Sequence, residues 1–340
     1  MTHSPQTRFL HVANGTCTTG LIEAAGIPGA VSIWADPLHD GPVPSGLTDA
    51  ELVEVRTRHL AGSTDQATVD PMNDMRHWRA VIARHDAYDE LILWFEHDLF
   101  DQLNLIQLLT WIRERVPATK VVSLVCIGSF AGHPDFKGLG ELTPKELASL
   151  LDTRQRVTEA QYAVAEQTWR AFREPSPEAL DELRQANLAL PYLAAALTRF
   201  LEEYPWTSDG LSRSERRLLQ LAAAGAIDLW DAFRRMHDDE DVYDITDTSL
   251  ADLAKALSRT SPPLLTRAPR QSSGTEYLDG SVTLTETGRA VLASQQDRIV
   301  VCGIDRWLGG VHLTTGADLF RWDDTGQKIM VPRHSVSPSS

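Results

Sequence analysis

The sequence predicts an α/β protein with three sections: an N-terminal domain built on a parallel, Rossmann-like sheet at 8–142, a helical section at 143–208, and a winged-helix-like domain with a C-terminal hairpin at 209–330. Two observations support this division. In the first section, short apolar runs alternate with amphipathic helical stretches, which is the pattern of a parallel sheet covered by helices. After this section the strand patterns stop and helical patterns dominate, until two short strand patterns return near the C-terminus.

Composition and charge limit the classes of function. Of the 340 residues, 42% are hydrophobic and 23% are charged, which is ordinary for a globular protein with a large core. The net charge of -15 disfavours broad binding to nucleic acid or anionic lipid, so nucleic acid stays open as a partner only through a local basic face. Three widely spaced cysteines form neither a disulfide framework nor a zinc ribbon. With no secretory signal and no membrane-length apolar run, we expect a cytoplasmic protein without membrane contact, and composition leaves its oligomeric state open.

Four apolar runs predict the strands of the N-terminal sheet. The third, Leu91–Phe95, is apolar throughout, as a strand covered on both faces should be. Thr48 begins one of the intervening helices, with Glu51 at the spacing of a capping box. The predicted strands lie at 8–15, 31–34, 91–95 and 120–127, and the predicted helices at 18–26, from 48 onward, at 73–86 and at 103–115.

The later sections carry helix starts and turn signals. Thr143 and Ser176 begin predicted helices, with a break at 175–177 between them. The last section predicts helices at 213–224, 228–236 and 248–258, strands at 264–267 and 281–285, and a closing helix at 286–294, which is the order of a winged helix. Gly309-Gly310 predicts the turn of a hairpin that packs the tail against the rest of the chain, and residues after Val331 have the composition of a loose end.

Polar residues gather at three predicted strand ends. Ligands of parallel α/β sheets bind outside the carboxyl ends of the strands, so these residues are the candidates for a site. Because several strand ends meet at one edge of a sheet, the three groups are expected to converge. They are Asn14, Gly15 and Thr16 after the first strand, Asp36, His39 and Asp40 after the second, and Glu96, His97, Asp98, Asp101 and Gln102 after the third.

The turn Asn14-Gly15-Thr16 resembles a generic anion cradle. A glycine turn followed by hydroxyl residues at a helix N-terminus offers free N–H groups to a phosphate or carboxylate, so these three residues are assigned to substrate binding. The alternative is a capped helix start, with Thr16 or Thr18 as the cap. Cys17 is either a thiolate activated by the helix or a buried structural residue.

The segment Glu96–Asp101 concentrates ionisable groups directly after an apolar strand. Glu96 and His97 are the candidates for proton transfer, and Asp98 and Asp101 are the candidates for holding a divalent metal, with Asp98 also assigned to catalysis. Gln102 is assigned to substrate binding. The alternative is a solvated loop in which Asp98 or Asp101 caps the next helix.

Three further features have weaker assignments. Asp36 and Asp40 are assigned to substrate binding and His39 to catalysis, in a loop stiffened by prolines; the alternative is a proline-rich turn with incidental charge. His11 is a substrate-binding candidate inside the first strand, where a histidine satisfied within the core is the alternative. The acidic run at 238–241 is expected to be a solvated loop.

Three strings of the N-terminal section resemble one bacterial family. His11–Gly15, Trp34–Pro42 and Leu93–Gln102 are similar, in order, to the signature stretches of proteins known as domain of unknown function 1835, over roughly residues 8–130, and Ile304–Asp324 resembles a region that often follows it. The resemblance implies the domain and the position of its site, and it implies no particular reaction. In that family the turn after the first strand usually reads Asn-Gly-Asp-Ser. The turn here is Asn14–Cys17, which lacks the carboxylate and therefore favours a phosphate over a metal at this turn.

Two classes of function follow, together with a scaffold that has lost its site. In the first, the N-terminal domain is an enzyme that hydrolyses or transfers groups on a phosphorylated or nucleotide-like molecule, with or without a divalent metal. In the second, the N-terminal domain senses a small molecule and the winged helix binds DNA. The candidate recognition helix offers only Lys255 and Arg259, and residues 211–293 hold 10 lysines and arginines against 13 acidic residues, a net charge of -3. We favour the enzyme, because dense ionisable residues at several strand ends are harder to explain as packing than a winged helix is to explain as structure.

Overall fold

The computed structural model describes residues 7–63, 70–186, 188–268, 278–316 and 319–331. Its N-terminal section alternates strands and helices, as the sequence predicts. The first strand and the first helix start and stop within a few residues of their predicted bounds. The elements are β1 (Phe9–Ala13), α1 (Thr16–Ala24), β2 (Ala30–Ile33), β3 (Gly41–Pro42), α2 (Asp49–Ser63), α3 (Pro71–Ala83), β4 (Glu90–Glu96), α4 (Leu99–Arg115) and β5 (Val121–Ile127).

The four long strands form a parallel sheet in the order β2-β1-β4-β5. β1 lies between β2 and β4, so its carboxyl end is flanked by the ends of both neighbours. Since all four strands run the same way, the residues that follow them emerge at one edge. The predicted parallel sheet is confirmed, and its topology brings the ends of β1 and β4 next to each other.

Both faces of this sheet are covered. Leu91, Leu93 and Phe95 of β4 belong to the larger hydrophobic core, which includes the apolar side chains of α4. Ile92 and Trp94, which point the other way, belong to a second core. Side chains alternate between the faces of a strand, so an apolar run without interruption is what a doubly covered strand requires.

The middle section is helical, as predicted, with one exception. Its elements are α5 (Pro144–Leu150), β6 (Gln155–Arg156), α6 (Glu159–Arg173), α7 (Glu178–Leu183) and α8 (Leu193–Leu201). β6 is a two-residue strand that pairs antiparallel with β5 and extends the main sheet. Both of its residues are exposed and polar, so no apolar alternation marked it in the sequence. The expectation that strands stop after residue 143 is therefore wrong for β6.

The next unit combines helices with a small antiparallel sheet. Ser212 and Glu215 form the predicted capping box at its start. The elements are α9 (Arg213–Ala222), β7 (Ile227–Asp228), α10 (Leu229–Met236), α11 (Asp247–Arg259), β8 (Leu265–Ala268), β9 (Ser281–Leu284) and α12 (Glu286–Leu292). The sheet has the order β7-β9-β8, and its third strand, β7, has only two residues, too few for a sequence pattern to indicate it.

The C-terminal tail returns to the N-terminal section. After α13 (Arg298–Cys302), β10 (Asp305–Gly309) and β11 (Val311–Thr314) form the predicted hairpin, followed by the pair β12 (Arg321–Asp323) and β13 (Lys328–Met330). β10 also pairs with β3, so the hairpin is hydrogen-bonded to the loop that follows β2. A Cβ atom on Gly310 would collide with the backbone carbonyl of Arg173, and this close approach explains the glycine at the turn.

In the described parts of the chain, no helix combines the length and the apolar composition that a membrane crossing demands. The predicted loose end after Val331 lies outside the described residues.

Candidate functional site

Three buried carboxylates meet where β4 ends. Glu96 is the last residue of the strand, Asp98 precedes α4, and Asp101 lies in the first turn of that helix. One oxygen from each lies within 4.8 Å of the others, and none of the three side chains takes part in an ion pair among the described residues. Asp101 is fully buried and the other two are nearly so. Burial without a cationic partner is costly for carboxylates, so this cluster needs a compensating proton or cation.

Asp101 joins the ends of two strands. Its Oδ2 accepts a hydrogen bond from Nδ2 of Asn14 at 2.6 Å, and its Oδ1 accepts one from the backbone N–H of Glu96 at 2.7 Å. Asn14 follows β1 and Glu96 ends β4, so one carboxylate bridges the neighbouring strands. Burial, together with the charges of Asp98 and Glu96, raises the pKa of Asp101 well above its usual range. These hydrogen bonds hold the carboxylate of Asp101 in a fixed position between the two strand ends.

Asp98 caps α4. Its Oδ1 accepts a hydrogen bond from the backbone N–H of Asp101 at 2.7 Å, which satisfies one free donor of the helix. The structural alternative for this segment is therefore partly correct, since Asp98 does cap the helix, but the segment is buried and is not a solvated loop. Burial raises the pKa of Asp98 to about 7.

Glu96 faces the loop that follows β5. Its Oε1 accepts a hydrogen bond from the backbone N–H of Leu139 at 2.7 Å, and a Cβ atom on Gly138 would collide with its Oε2. Burial and the neighbouring charge of Asp98 raise the pKa of Glu96 to about 8. Glu96 and Asp98 therefore titrate near neutral pH, where general acids and bases work best, and a divalent cation would hold them ionised.

The N-terminus of α1 lies beside this cluster. Gly15 is the N-cap in an extended conformation, and no side chain caps the helix, so neither Thr16 nor Thr18 has the capping role that the structural alternative assigned to them. Thr18 instead donates its hydroxyl to Oδ1 of Asn14 at 3.2 Å. Thr16 and Cys17 are exposed, so Cys17 is not a buried structural residue. The first amides of α1 are left without a side-chain partner, as an anion cradle requires.

The loop after β2 is organised by a residue that the sequence did not single out. Arg56 of α2 is buried and its guanidinium forms a bidentate pair with Asp36, at 2.8 Å to Oδ1. It also donates to the backbone carbonyls of Asp40 and Pro37. Asp40 is half exposed and bonds to His59 of α2 at 3.1 Å. The side chains of both aspartates thus point to α2, and the structure does not bring them to the carboxylate cluster.

His39 is buried within the same loop. Its ring contacts Phe100 and Tyr243, and neither ring nitrogen has a hydrogen-bond partner among the described residues. Burial lowers the pKa of His39 to about 4, so the imidazole is neutral at neutral pH. A neutral, unpartnered imidazole can accept or donate a proton once a ligand reaches it.

The remaining candidates divide into two groups. His11 is satisfied inside the sheet layer, because Trp94 donates to its Nδ1 at 3.1 Å and its Nε2 lies 3.2 Å from the carbonyl of Pro28. The structure therefore places it away from the cluster, in agreement with the core alternative. Gln102 donates to the carbonyl of Glu96 at 2.6 Å, and its Oε1 has no partner among the described residues. His97 packs against Phe136 and Tyr192 next to the cluster.

The sequence patterns did not identify three residues that organise the loops at the strand ends. Arg56 lies on a helix with several charged residues, where an arginine normally faces solvent, so nothing in the sequence marked it. Asn104 exchanges two hydrogen bonds of 2.9 Å with the backbone of Asp36 from the middle of α4. Gly138, which leaves room for Glu96, belongs to a Gly-Leu-Gly string that does carry a signal, since glycine often marks a close approach.

No family model matches this chain. No curated protein matches it either.

The Asp36–Arg56 pair should be essential for stability. We expect Arg56→Met to lower the free energy of unfolding by about 3–5 kcal/mol, because it leaves a buried carboxylate without a partner. Arg8→Met, which breaks an exposed pair with Asp89, should cost less than about 1 kcal/mol. Urea denaturation measures both, and equal losses in the two variants would contradict the structural role of Arg56.

The raised pKa values predict that stability falls as the pH rises. Glu96 and Asp98 keep protons in the folded state that the unfolded chain releases above its ordinary carboxyl pKa. In the metal-free protein the free energy of unfolding should therefore fall from roughly pH 4 until the pH passes the raised pKa values, by about 1.4 kcal/mol per pH unit for each proton that only the folded state retains.

Asp98→Asn tests this pH dependence because asparagine also caps helices well. Its unfolding free energy should fall less steeply between pH 5 and 8 than that of the native protein. Asp152→Asn, at a fully exposed acid, is the control and should behave as native. Parallel pH profiles for native protein and Asp98→Asn would contradict the raised pKa of Asp98.

Proposed function

We propose that the strand-end site of the N-terminal section is the active site of an enzyme that acts on a phosphorylated or nucleotide-like small molecule, by hydrolysis or group transfer assisted by a divalent cation. The observation that carries the proposal is the buried cluster of Glu96, Asp98 and Asp101 beside the uncapped N-terminus of α1. The proposal includes a relationship to the family known as domain of unknown function 1835, because the strings that resemble this family contain Glu96, Asp98 and Asp101.

The donor set suits a hard divalent cation. Mg²⁺ and Mn²⁺ prefer carboxylate oxygens and keep several waters, and three carboxylate oxygens within 4.8 Å can hold such an ion. Asp98 and Asp101 are the proposed ligands. When bound, the cation would polarise a phosphoryl oxygen and offset its charge.

The protein residues would divide the remaining work. The amides of Gly15 and Thr16 would bind the anionic group at the start of α1, with Asn14 held in position by Asp101. Glu96, which is held by the amide of Leu139 and is not one of the two proposed metal ligands, would take or return the proton of the attacking group. His97 and His39 would flank the substrate, and Gln102 would hold the backbone of Glu96 in place.

A thermal-shift comparison tests the proposed site. Native protein should melt at a higher temperature with Mn²⁺ and a nucleotide or sugar phosphate, since a hundredfold excess over the dissociation constant stabilises by about 2.7 kcal/mol. Asp98→Asn should lose this response, whereas Asp152→Asn should keep it. Colorimetric assay of released phosphate then detects the reaction. A response that survives in Asp98→Asn would remove this cluster from the site.

One observation favours a second function. Helices α9, α10 and α11 with the sheet β7-β9-β8 have the order of elements of a winged helix, which supports a ligand-responsive regulator that binds DNA through α11. The composition of this unit opposes DNA binding, and for that reason it stands second. Lys255 is partly exposed and Arg259 is exposed on α11, so both can reach phosphates.

Lys255→Ala combined with Arg259→Ala tests the second function. If α11 contacts DNA, the double variant should bind duplex more weakly, and its slope of log affinity against log salt should fall by about 0.9 per lost phosphate contact. Lys145→Ala combined with Arg170→Ala makes the same charge change elsewhere and should bind as native. Absence of duplex binding by native protein at low salt, measured by fluorescence anisotropy, would exclude the regulator.

A further inference from the structure

The connection between α10 and α11 crosses the strand-end site. We name residues 237–246 the bridging strap; it has no regular secondary structure. The acidic run at 238–241 was expected to be a solvated loop, and this is wrong for one residue. Glu240 is buried, whereas Asp238, Asp239 and Asp241 are exposed. Tyr243 and Ile245 are also buried, so the strap is anchored by three side chains.

Two connections join the strap to the carboxylate cluster. The backbone N–H of Leu99, next to Asp98, donates to the carbonyl of Val242 at 2.7 Å. On the other side, Lys137 donates to the carbonyl of Glu240 at 2.7 Å and to Oδ1 of Asp241 at 3.0 Å. Lys137 is two residues before Leu139, whose amide holds Glu96.

Asp98 and Glu96 are thus each connected to the strap through a neighbouring residue. Asp98 adjoins Leu99, and Glu96 is hydrogen-bonded to Leu139 in the loop that carries Lys137. The strap also brings its own charge, because the negative charge of Asp244 contributes to the raised pKa of both Glu96 and Asp98. A movement of either carboxylate would therefore change the forces on the strap.

The other side of the strap is bonded to α8 of the middle section and to α9, which begins the C-terminal unit formed by α9 to α12 and the sheet β7-β9-β8. Glu240 accepts a hydrogen bond from Arg199 of α8 at 2.8 Å and lies 3.2 Å from Arg213 of α9. Arg199 also donates to Ser214 of α9 at 3.0 Å. Arg199, Glu240 and Ser214 are buried, so this network holds the strap firmly against α8 and α9.

We propose that the bridging strap couples ligand occupancy of the strand-end site to the C-terminal unit. A cation among the carboxylates offsets their repulsion with Asp244 and draws the loop at Lys137 and the turn at Leu99 inward, which tightens the strap and the start of α11. Coupling of this kind is reciprocal, so loosening the strap weakens order at the site. The cation arm of this inference rests on the proposed function, whereas the mechanical link between strap and site does not.

Hydrogen–deuterium exchange of the full chain tests the link without any ligand. Lys137→Ala removes both bonds from this side chain to the strap, and amides in 237–246 should exchange roughly threefold faster or more. Because the coupling is reciprocal, amides in 96–104 should also exchange faster. Gly138→Ala, which displaces Glu96 from the site side, should accelerate the same two segments. Lys145→Ala, at an exposed lysine in the following helix, should leave both segments as in native protein.

Added Mn²⁺ distinguishes the coupling from the proposed function. In native protein, Mn²⁺ should slow exchange at 96–104, at 237–246 and at the start of α11. In Lys137→Ala, protection should persist at 96–104 and decline in the strap; in Asp98→Asn, it should be lost everywhere. Protection at 96–104 with an unchanged strap would overturn the coupling and leave the proposed function intact. Absence of protection at 96–104 would contradict the metal-assisted function. The metal-free variants would then decide the coupling, and an unaltered segment 96–104 in Lys137→Ala together with an unaltered strap in Gly138→Ala would overturn it.

Discussion

The hydrogen bonds of Asp101 hold the candidate site together. This buried carboxylate accepts from the side chain of Asn14 after β1 and from the backbone of Glu96 at the end of β4. Through these two bonds the strand ends, the start of α1 and the start of α4 keep one relative position. Asp98 caps α4 by accepting a hydrogen bond from the backbone N–H of Asp101. A parallel sheet supplies the neighbouring strand ends, and Asp101 sets the distance between the groups they carry.

The buried acidic side chains of the described residues fall into two groups, those paired with an arginine and those without a cationic partner. Asp36 is paired with Arg56. Glu203 and Glu240 share Arg199, and each has a second arginine partner, Arg306 for Glu203 and Arg213 for Glu240. Burial would otherwise make each of these charges costly, and the guanidinium groups offset that cost with several hydrogen bonds each. Glu96, Asp98 and Asp101 have only amide donors among their described contacts. The contrast within one chain is the reason that the cluster, and not the other buried acids, is the candidate for binding a cation.

Much of the fold followed from local pattern. Unbroken apolar runs predicted the strands of a doubly covered sheet, and Ser212 with Glu215 predicted the start of α9, because capping depends on residues three apart in the chain. The errors have a common cause. β6 and β7 are two residues long and exist through pairing with distant strands, so no periodicity announces them. Gly309-Gly310 predicted the hairpin turn, but its partner β3 could not be predicted, since pairing over such a separation leaves no local mark.

The sequence by itself determined which chemical groups stand at the strand ends, because strand limits and helix starts are short-range properties. It thereby named Asn14, Glu96, Asp98 and Asp101, which the structure brings together. Only the tertiary structure decided which acids are free to bind a ligand: Asp36 is paired because α2 happens to present Arg56 to it, and Glu240 is paired because α8 presents Arg199. It also decided that the bridging strap crosses the site. Charge pairing and burial depend on which helices pack together, and that is a property of the whole fold.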